Sequence, residues 1–583
     1  MSIKDKFDII TMQLINNFLS SVVDEMMQAV VRTSLSPITR EAFDFQCGLC
    51  RANGEMILEG EATYIHSLVY QSLIANWLKN NQSNTFSGDV IITNDPYSDA
   101  SHLPDVYIYR PIFFNGVIVA WAVAGGHQRD IGGMTPGSCP HNATEIQQEG
   151  LRIPPVKLYE RGKPNETLFP ILRAASRMPD IIIADIGAYN GACIIGERGF
   201  LDLMDDYGQE TLDTYLDELL SYAERLVRLE ISDMPDGIYE FADYLDDDGV
   251  NLNQPLRIAV KISIAGENIT YDFTGTAMQV KGGMNNPIGS TRSTVVTAMR
   301  SMMGGNIPRN GGAWRPAKLI VPYGCLLNPK PPGPVASRGG TAQRQSDVLL
   351  GCQAQIRPHM LLACSSGVDT LINIGWRDRD DTQFILTEAC WGGWGGRLRS
   401  DGNDFMTPPS HNNSSTSCEV SESLYPAIIY KQYGYVADTE GAGKHRGSVA
   451  VVREWEYDGS EDATMQLRVD RRNSNTYGLD GGFSGARLKA TISPGTANER
   501  DVGKTTTSIR PGESVKIQVA GAGGWGNPLA RDSFKVLEDV LNDLVSLDRA
   551  KKVYGVVIRT PEMIVDELAT EKNRSTLLNL QAT

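Results

Sequence analysis

The chain has 583 residues, too many for a single hydrophobic core, so about two to four domains are expected. Hydrophobic residues make up 41% and charged residues 21%, the composition of a globular protein with an ordinary core. A net charge of −16 without a basic stripe excludes nucleic acid as the expected partner, and no apolar run reaches the roughly 18 residues that a membrane span needs.

MSIKDKFDII carries no signal-peptide pattern, so the expected location is cytoplasmic. Nine scattered cysteines fit reduced thiols. Residues 7–34 place apolar side chains at helical spacing and predict one long amphipathic helix. Next, Asn53-Gly54 lies between two strand-like runs and predicts a hairpin. Cys47 and Cys50 form a CxxC with no second pair; a structural zinc needs four ligands, so chance spacing in a strand is the better reading. A helix is predicted over 66–80, and GDVIITNDP reads as a strand ending in a turn.

Two apolar strands then flank Asn115-Gly116, a two-residue hairpin turn. With those two residues central, position i faces position 231 − i, so His127 is expected opposite Pro104, beside His102 and Asp105. Residues 209–231 predict an acidic amphipathic helix, after which the pattern turns to antiparallel strands. MPDG at 234–237 is a plausible boundary, 328–347 is a structured loop or a linker, and 391–417 is loop. A β-rich part and a final helix near 532–546 complete a multidomain α+β fold: antiparallel sheets, a long N-terminal helix and a β-rich C-terminal part. The expected division is an α+β domain with the metal site over 1–235, a central β-rich domain over 236–400, and a C-terminal β-rich domain with a terminal helix over 401–583.

The chemistry concentrates in one stretch. Asp99, His102 and Asp105 lie close together, with His127 brought near by the hairpin. Two imidazoles and carboxylate oxygen are a common ligand set for Zn²⁺, Mn²⁺ or Fe²⁺. Asp44 on the earlier hairpin could add a carboxylate, and Asp95 and Asp130 could orient the imidazoles. Each residue alone reads as readily as a turn residue or a hydrogen-bonded side chain; the meeting of two histidines is what points to a metal. The loop 132–145 is either a lid bringing Glu145 or His141 to the site or an ordinary loop. GGWGG and GAGGWG match no phosphate-binding pattern, so ATP binding by this chain is not expected.

NDPYSDASHLPDV, GGHQRDIGG, ATEIQQEGLRIPPVKLY, GGMNNPIGSTRS, DRRNSNTYGLDGG, and GAGGWGNPLARD with VYGVV together resemble the hydantoinase B/oxoprolinase family, from about residue 8 to 560. That family includes B subunits of ATP-dependent N-methylhydantoinases and caprolactamases, part of 5-oxoprolinase, and related subunits of acetone and acetophenone carboxylases. The resemblance implies a hydantoinase A-type partner that binds ATP and phosphorylates the substrate, in a heterotetramer or larger assembly. It implies a small cyclic amide as substrate and a divalent metal, zinc first, with manganese or iron as alternatives. His102 and His127 carry over as metal ligands, Asp44 and Asp105 as site carboxylates, and His66 as a recurrent family histidine. Asp99 stands where many hydrolase members have glycine and resembles a ligand of the acetone carboxylase type. The function implied is the metal-bearing subunit of a cyclic amide hydrolase; a ketone carboxylase subunit and a purely structural subunit are the rival readings.

Overall fold

The structure is a computed structural model that describes residues 8–61, 63–304, 307–367, 369–411 and 413–581. The chain forms two compact units, each drawn from separate stretches: residues 1–240, 259–342 and 410–416 make the first, and 241–258, 343–409 and 417–583 the second. Helices alternate with largely antiparallel sheets, so the fold is α+β, as the patterning implied.

The first unit opens with α1 (Ile9–Thr33). Asp8 caps it by accepting from the N–H groups of Ile10 and Thr11. Ile15, Leu19, Val22, Val23, Met26 and Val30 recur along its buried face, each worth about 1.5–3 kcal/mol of burial. After the short α2 (Pro37–Arg40), β1 (Phe45–Arg51) and β2 (Met56–Glu59) make the first hairpin. Cys47 and Cys50 both lie on β1 but pack in separate cores on its two faces, so they cannot share one ion. Tyr64–His66 form a 3-10 turn of their own, and α3 (Val69–Asn81) therefore starts at Val69 rather than at His66.

β3 (Val90–Thr93), β4 (Asp105–Phe114), β5 (Val117–His127), β6 (Val156–Glu160) and β7 (Lys163–Pro164) complete a seven-stranded antiparallel sheet of order β2-β1-β5-β4-β3-β6-β7. Asn115 and Gly116 adopt φ +49° and +80°, both left-handed, as a type I′ turn requires. Phe114 pairs with Val117 and Phe113 with Ile118, the register the turn dictates. A bulge between Ile112 and Phe113 then adds one residue to β5. From Ile112 onward every pair is shifted, and His127 faces Asp105 instead of Pro104.

The two faces of this sheet hold different layers. Val106, Ile108, Ala122 and Ala124 share a core with α1 and α5 (Pro179–Tyr207); Tyr107, Tyr109, Trp121 and Val123 share one with α3 and Val296 of α7 (Ile288–Ser301). The remaining helices of this stretch are α4 (Leu168–Ala175) and α6 (Gln209–Ser232), the latter where its periodicity predicts it. The 29-residue α5 is absent from the sequence expectations. Its glycines hide it from propensity but let it close on α1: a Cβ on Gly196 or Gly199 would sit 2.7 Å from Met26 Sδ or 2.5 Å from Val22 Cγ2. β8 (Gly237–Leu245), β9 (Leu256–Ala265), β10 (Asn268–Asp272) and β11 (Ala317–Ile320) form a second sheet, order β11-β10-β9-β8. Of the stretch expected to be loop or linker over 328–347, residues 328–337 are loop and the rest opens helix α8 (Arg338–Gln353).

The second unit is built on two sheets. One takes β12 (Thr370–Arg377), β13 (Gln383–Cys390), β16 (Ala463–Arg468) and β19 (Thr505–Ile509); the other β14 (Ile428–Val436), β15 (Ala450–Tyr457), β17 (Lys489–Ile492), β18 (Arg500–Asp501) and β20 (Ser514–Gln518). Ile374, Leu386, Met465, Trp455 and Ile517 belong to their common core. After α9 (Cys418–Leu424), the helix expected at 532–546 is α10 (Ser533–Leu541), and α11 (Leu547–Lys552) and α12 (Glu567–Gln581) follow it. The glycine loops close on backbone: Gly396 donates to Gly523 O and Gly523 to Cys364 O, each at 2.8 Å. A Cβ on Gly521 or Gly523 would collide with the carbonyl oxygen of Thr439 or Tyr477. Asp470 and Arg471 of DRRNSNTYGLDGG lie in a buried ion network, in which Asp470 takes Arg344 at 2.9 Å and Lys504 at 2.6 Å, while Arg471 takes Asp243 at 2.6 Å. Among the described residues no helix is long and apolar enough to cross a membrane.

Candidate metal centre

Three neighbouring strands of the seven-stranded sheet end at one edge. β5 lies between β1 and β4; His127 donates its N–H to Asp44 O at 3.0 Å and pairs with Asp105 on the other side. Strand alternation sets the direction of these side chains. Asp44, Asp105 and His127 share parity with Cys50, Tyr107 and Trp121, which pack on the α3 and α7 face. His102 joins them from the turn before β4, closed by Asp105 N–H donating to His102 O at 2.9 Å.

On that face three atoms converge. His102 Nε2 lies 3.0 Å from Asp105 Oδ1 and 3.1 Å from His127 Nδ1, and His127 Nδ1 lies 3.2 Å from Asp105 Oδ1. All three residues are buried. His102 Nδ1 is 3.0 Å from the carbonyl oxygen of Ala336, which can only accept, so Nδ1 carries the proton and Nε2 a lone pair. Burial drives the His102 imidazole down to about 4, with Arg338 reinforcing and Asp105 opposing, so the ring is neutral. Burial works against ionising Asp105, but His102 and the Arg338 guanidinium hold its carboxyl well below the ordinary range. A lone pair and a carboxylate oxygen thus face each other at hydrogen-bond distance, an arrangement that calls for a cation or a shared proton between them.

The donor set fits a divalent cation. Two imidazole nitrogens each about 2.1 Å from one ion stand about 3.0 Å apart at a right angle and about 3.4 Å apart at a tetrahedral one, and the observed 3.1 Å lies between. Among the described residues these are the His, Cys, Asp and Glu side chains that gather as such a group.

The remaining expected residues divide. Asp44 Oδ1 lies 3.5 Å from His66 Nε2, and its side chain is 25% exposed. Burial raises its carboxyl, but the neighbouring imidazoles of His66 and His127 prevail and bring it to about 2. His66 is buried, with Nδ1 2.8 Å from Tyr107 Oη, so it joins Asp44 to β4. Asp99 stands apart from the convergent group, in a left-handed conformation at φ +74°, with Oδ2 3.6 Å from Arg292 Nη2. Asp95 caps the turn at Tyr97, and Asp130 binds the N–H groups of Gly132 and Gly137 and the Arg177 guanidinium. Both brace loops instead of orienting imidazoles. Glu145 is exposed and caps the turn Ile146–Gln148, while His141 is buried 2.6 Å from Ser337 Oγ. The loop 132–145 is thus pinned from within.

Two residues enter that pattern reading passed over. Arg338 Nη2 donates to Asp105 Oδ2 at 2.6 Å. Glu149 Oε1 accepts from Val335 N and Ala336 N at 2.7 and 2.8 Å, fixing the carbonyl that orients His102. Burial pushes the Glu149 carboxyl up to about 8 against those two N–H groups. Glu149 lies in ATEIQQEGLRIPPVKLY and Arg338 in the Pro/Gly-rich run 328–347, but neither has a local pattern that announces a site.

Fold and site together define a two-unit α+β protein with a buried His–His–Asp group at the edge of its largest sheet. The chain belongs to the hydantoinase B/oxoprolinase family, whose model matches residues 8–528. It is 31% identical to a protein from Pseudomonas sp. (strain NS671) described as the B-type subunit of a D-/L-hydantoinase, over 97% of this chain and 98% of that one. The structure of the ATP-dependent caprolactamase from Pseudomonas jessenii is similar at TM-score 0.90 and 28% identity, covering 98% of this chain and all of that chain. A nucleotide-free acetone carboxylase structure shares the fold at TM-score 0.91 and 17% identity, over 99% of this chain and 84% of that chain.

Proposed function

We propose that this chain is the metal-bearing subunit of an ATP-dependent hydrolase of cyclic amides, working on a substrate that a hydantoinase A-type partner phosphorylates. The observation that carries this reading is the convergence of His102 Nε2, His127 Nδ1 and Asp105 Oδ1 in a family whose relatives are described as a hydantoinase component and an ATP-dependent caprolactamase. On this reading ATP is bound by the partner, which the backbone bonding of the glycine loops here supports.

His102, His127 and Asp105 would hold the ion; zinc suits them best, and manganese or iron are also compatible. A divalent ion, when bound, supplies a Lewis acid that makes water a nucleophile at neutral pH. Asp105 has both oxygens engaged, one by the imidazoles and one by Arg338, and serves to hold them in place. Asp44 is the carboxylate that stays ionised and partly open, so it accepts a hydrogen bond from the attacking water and orients it, with His66 fixing its position. Phosphorylation of the amide oxygen makes the ring carbon electrophilic; water adds, the ring C–N bond breaks with the nitrogen leaving as the amine, and a second water hydrolyses the resulting acyl phosphate to carboxylate and phosphate. The net reaction converts lactam, ATP and two waters into an open-chain amino acid, ADP and phosphate.

The test is turnover of a lactam or hydantoin by this chain with its A-type partner, with and without bicarbonate, against turnover of a ketone with bicarbonate. Bicarbonate-dependent use of the ketone alone would replace hydrolysis by carboxylation. Asp99, the residue that favoured the carboxylase reading, is paired with Arg292 and stands outside the convergent group, so hydrolysis is preferred.

A further inference from the structure

Arg338 begins α8 and is 4% exposed. Its Nη2 is held by Asp105 Oδ2, whose companion oxygen faces both imidazoles. Its Nε and Nη1, which carry most of a guanidinium's N–H donors, are buried and meet no acceptor among the described residues. An unpaired donor in the interior costs about 1–3 kcal/mol, and more when charged. Such a group is completed by water, an ion or a bound ligand, and here it lies beside the convergent His102–His127–Asp105 group. The guanidinium also acts electrostatically on His102, Asp44 and Tyr107, which places it among the groups of the site. Guanidinium N–H groups select oxygen anions, most strongly where water is excluded.

We propose that Arg338 is a substrate-binding residue whose Nε and Nη1 hold a phosphate-type oxyanion beside the His102–His127–Asp105 group. The proposal rests on the hydrolytic reading only in naming that anion as the phosphorylated oxygen of the substrate. Asp105 then links the two functions, with one oxygen in the ligand group and the other anchoring the anion-binding arginine.

The experiment titrates inorganic phosphate into the full-length, zinc-loaded protein by calorimetry, comparing wild type with Arg338→Lys. Lysine keeps a charge on Asp105 but cannot present the remaining donors. The expected result is phosphate binding weakened at least tenfold, about 1.4 kcal/mol, with zinc content and melting temperature retained. Equal phosphate affinity in the variant, no phosphate binding by wild type, or loss of zinc together with phosphate would each overturn the proposal; the last would make Arg338 a support for Asp105 alone. Bicarbonate binding in place of phosphate would overturn the ligand class. Should Arg338→Lys fail to fold, Arg338→Gln is read by the same criteria. Arg338-dependent phosphate binding in a protein that opens no cyclic amide sustains this proposal and removes the hydrolytic reading, so the two failures are distinguishable.

Discussion

His102 donates its Nδ1 proton to the backbone oxygen of Ala336 at 3.0 Å, and that one bond leaves Nε2 with a lone pair toward Asp105 and His127. The convergence is therefore controlled from 234 residues away in sequence, by the segment that also carries Arg338.

Removing either imidazole should remove the metal. His102→Ala and His127→Ala are expected to purify without stoichiometric zinc, manganese or iron and to open no ring, while the partner's ATPase persists at least in part. Elemental analysis and a coupled turnover assay check this; wild-type metal content in either variant would refute the ligand assignment.

Glu149 offers a test of the support behind His102. Glu149→Ala leaves two buried N–H groups unpaired and should weaken metal affinity by about 10–100-fold, the usual effect of losing an outer partner of a ligand. Glu149→Gln keeps an acceptor at Oε1 and should bind metal as wild type does. A competition titration with a chelator separates the three proteins.

The same residue makes stability depend on pH. Its carboxyl is raised from 4.5 to about 8, so the folded state binds that proton more tightly. Stability from this source is complete below the unfolded value of 4.5 and is lost as pH rises through about 8. Melting temperatures should therefore fall more steeply for wild type than for Glu149→Gln between about pH 4.5 and pH 8. Parallel curves would show that Glu149 is ionised in the fold.

Cys47 and Cys50 should be dispensable for metal. They pack on opposite faces of β1, so Cys47→Ala and Cys50→Ala are expected to leave metal stoichiometry unchanged and to cost only stability.

In the second unit, Asp470 neutralises Arg344 and Lys504 in the interior. Asp470→Ala leaves Arg344 to the longer contacts with Asp243 and Asp347 and Lys504 to Asp247 at 3.5 Å, and should destabilise that unit, read as a lowered denaturation midpoint.

Much of this molecule is local and therefore legible in its residues. The spacing of Ile15, Leu19, Val22 and Val23 makes α1, Asn115-Gly116 makes the hairpin turn, and the hairpin places His102 and His127 near each other. Strand parity in the register of the turn, however, puts His127 on the face of Pro104 and Asp105 on the other. Other features depend on contacts distant in sequence. The bulge that puts His127 opposite Asp105 leaves no turn residue to mark it, and α5 carries glycines that only its packing on α1 explains. The choice among carboxylates was also tertiary: Asp99, Asp44 and Asp105 are equivalent as letters, but Arg292, His66 and Arg338 reach them from other elements and assign each a different task. Sequence periodicity determined the strands and their directions; only the packed structure, by bringing Ala336 and Arg338 against β4, decided which lone pairs meet.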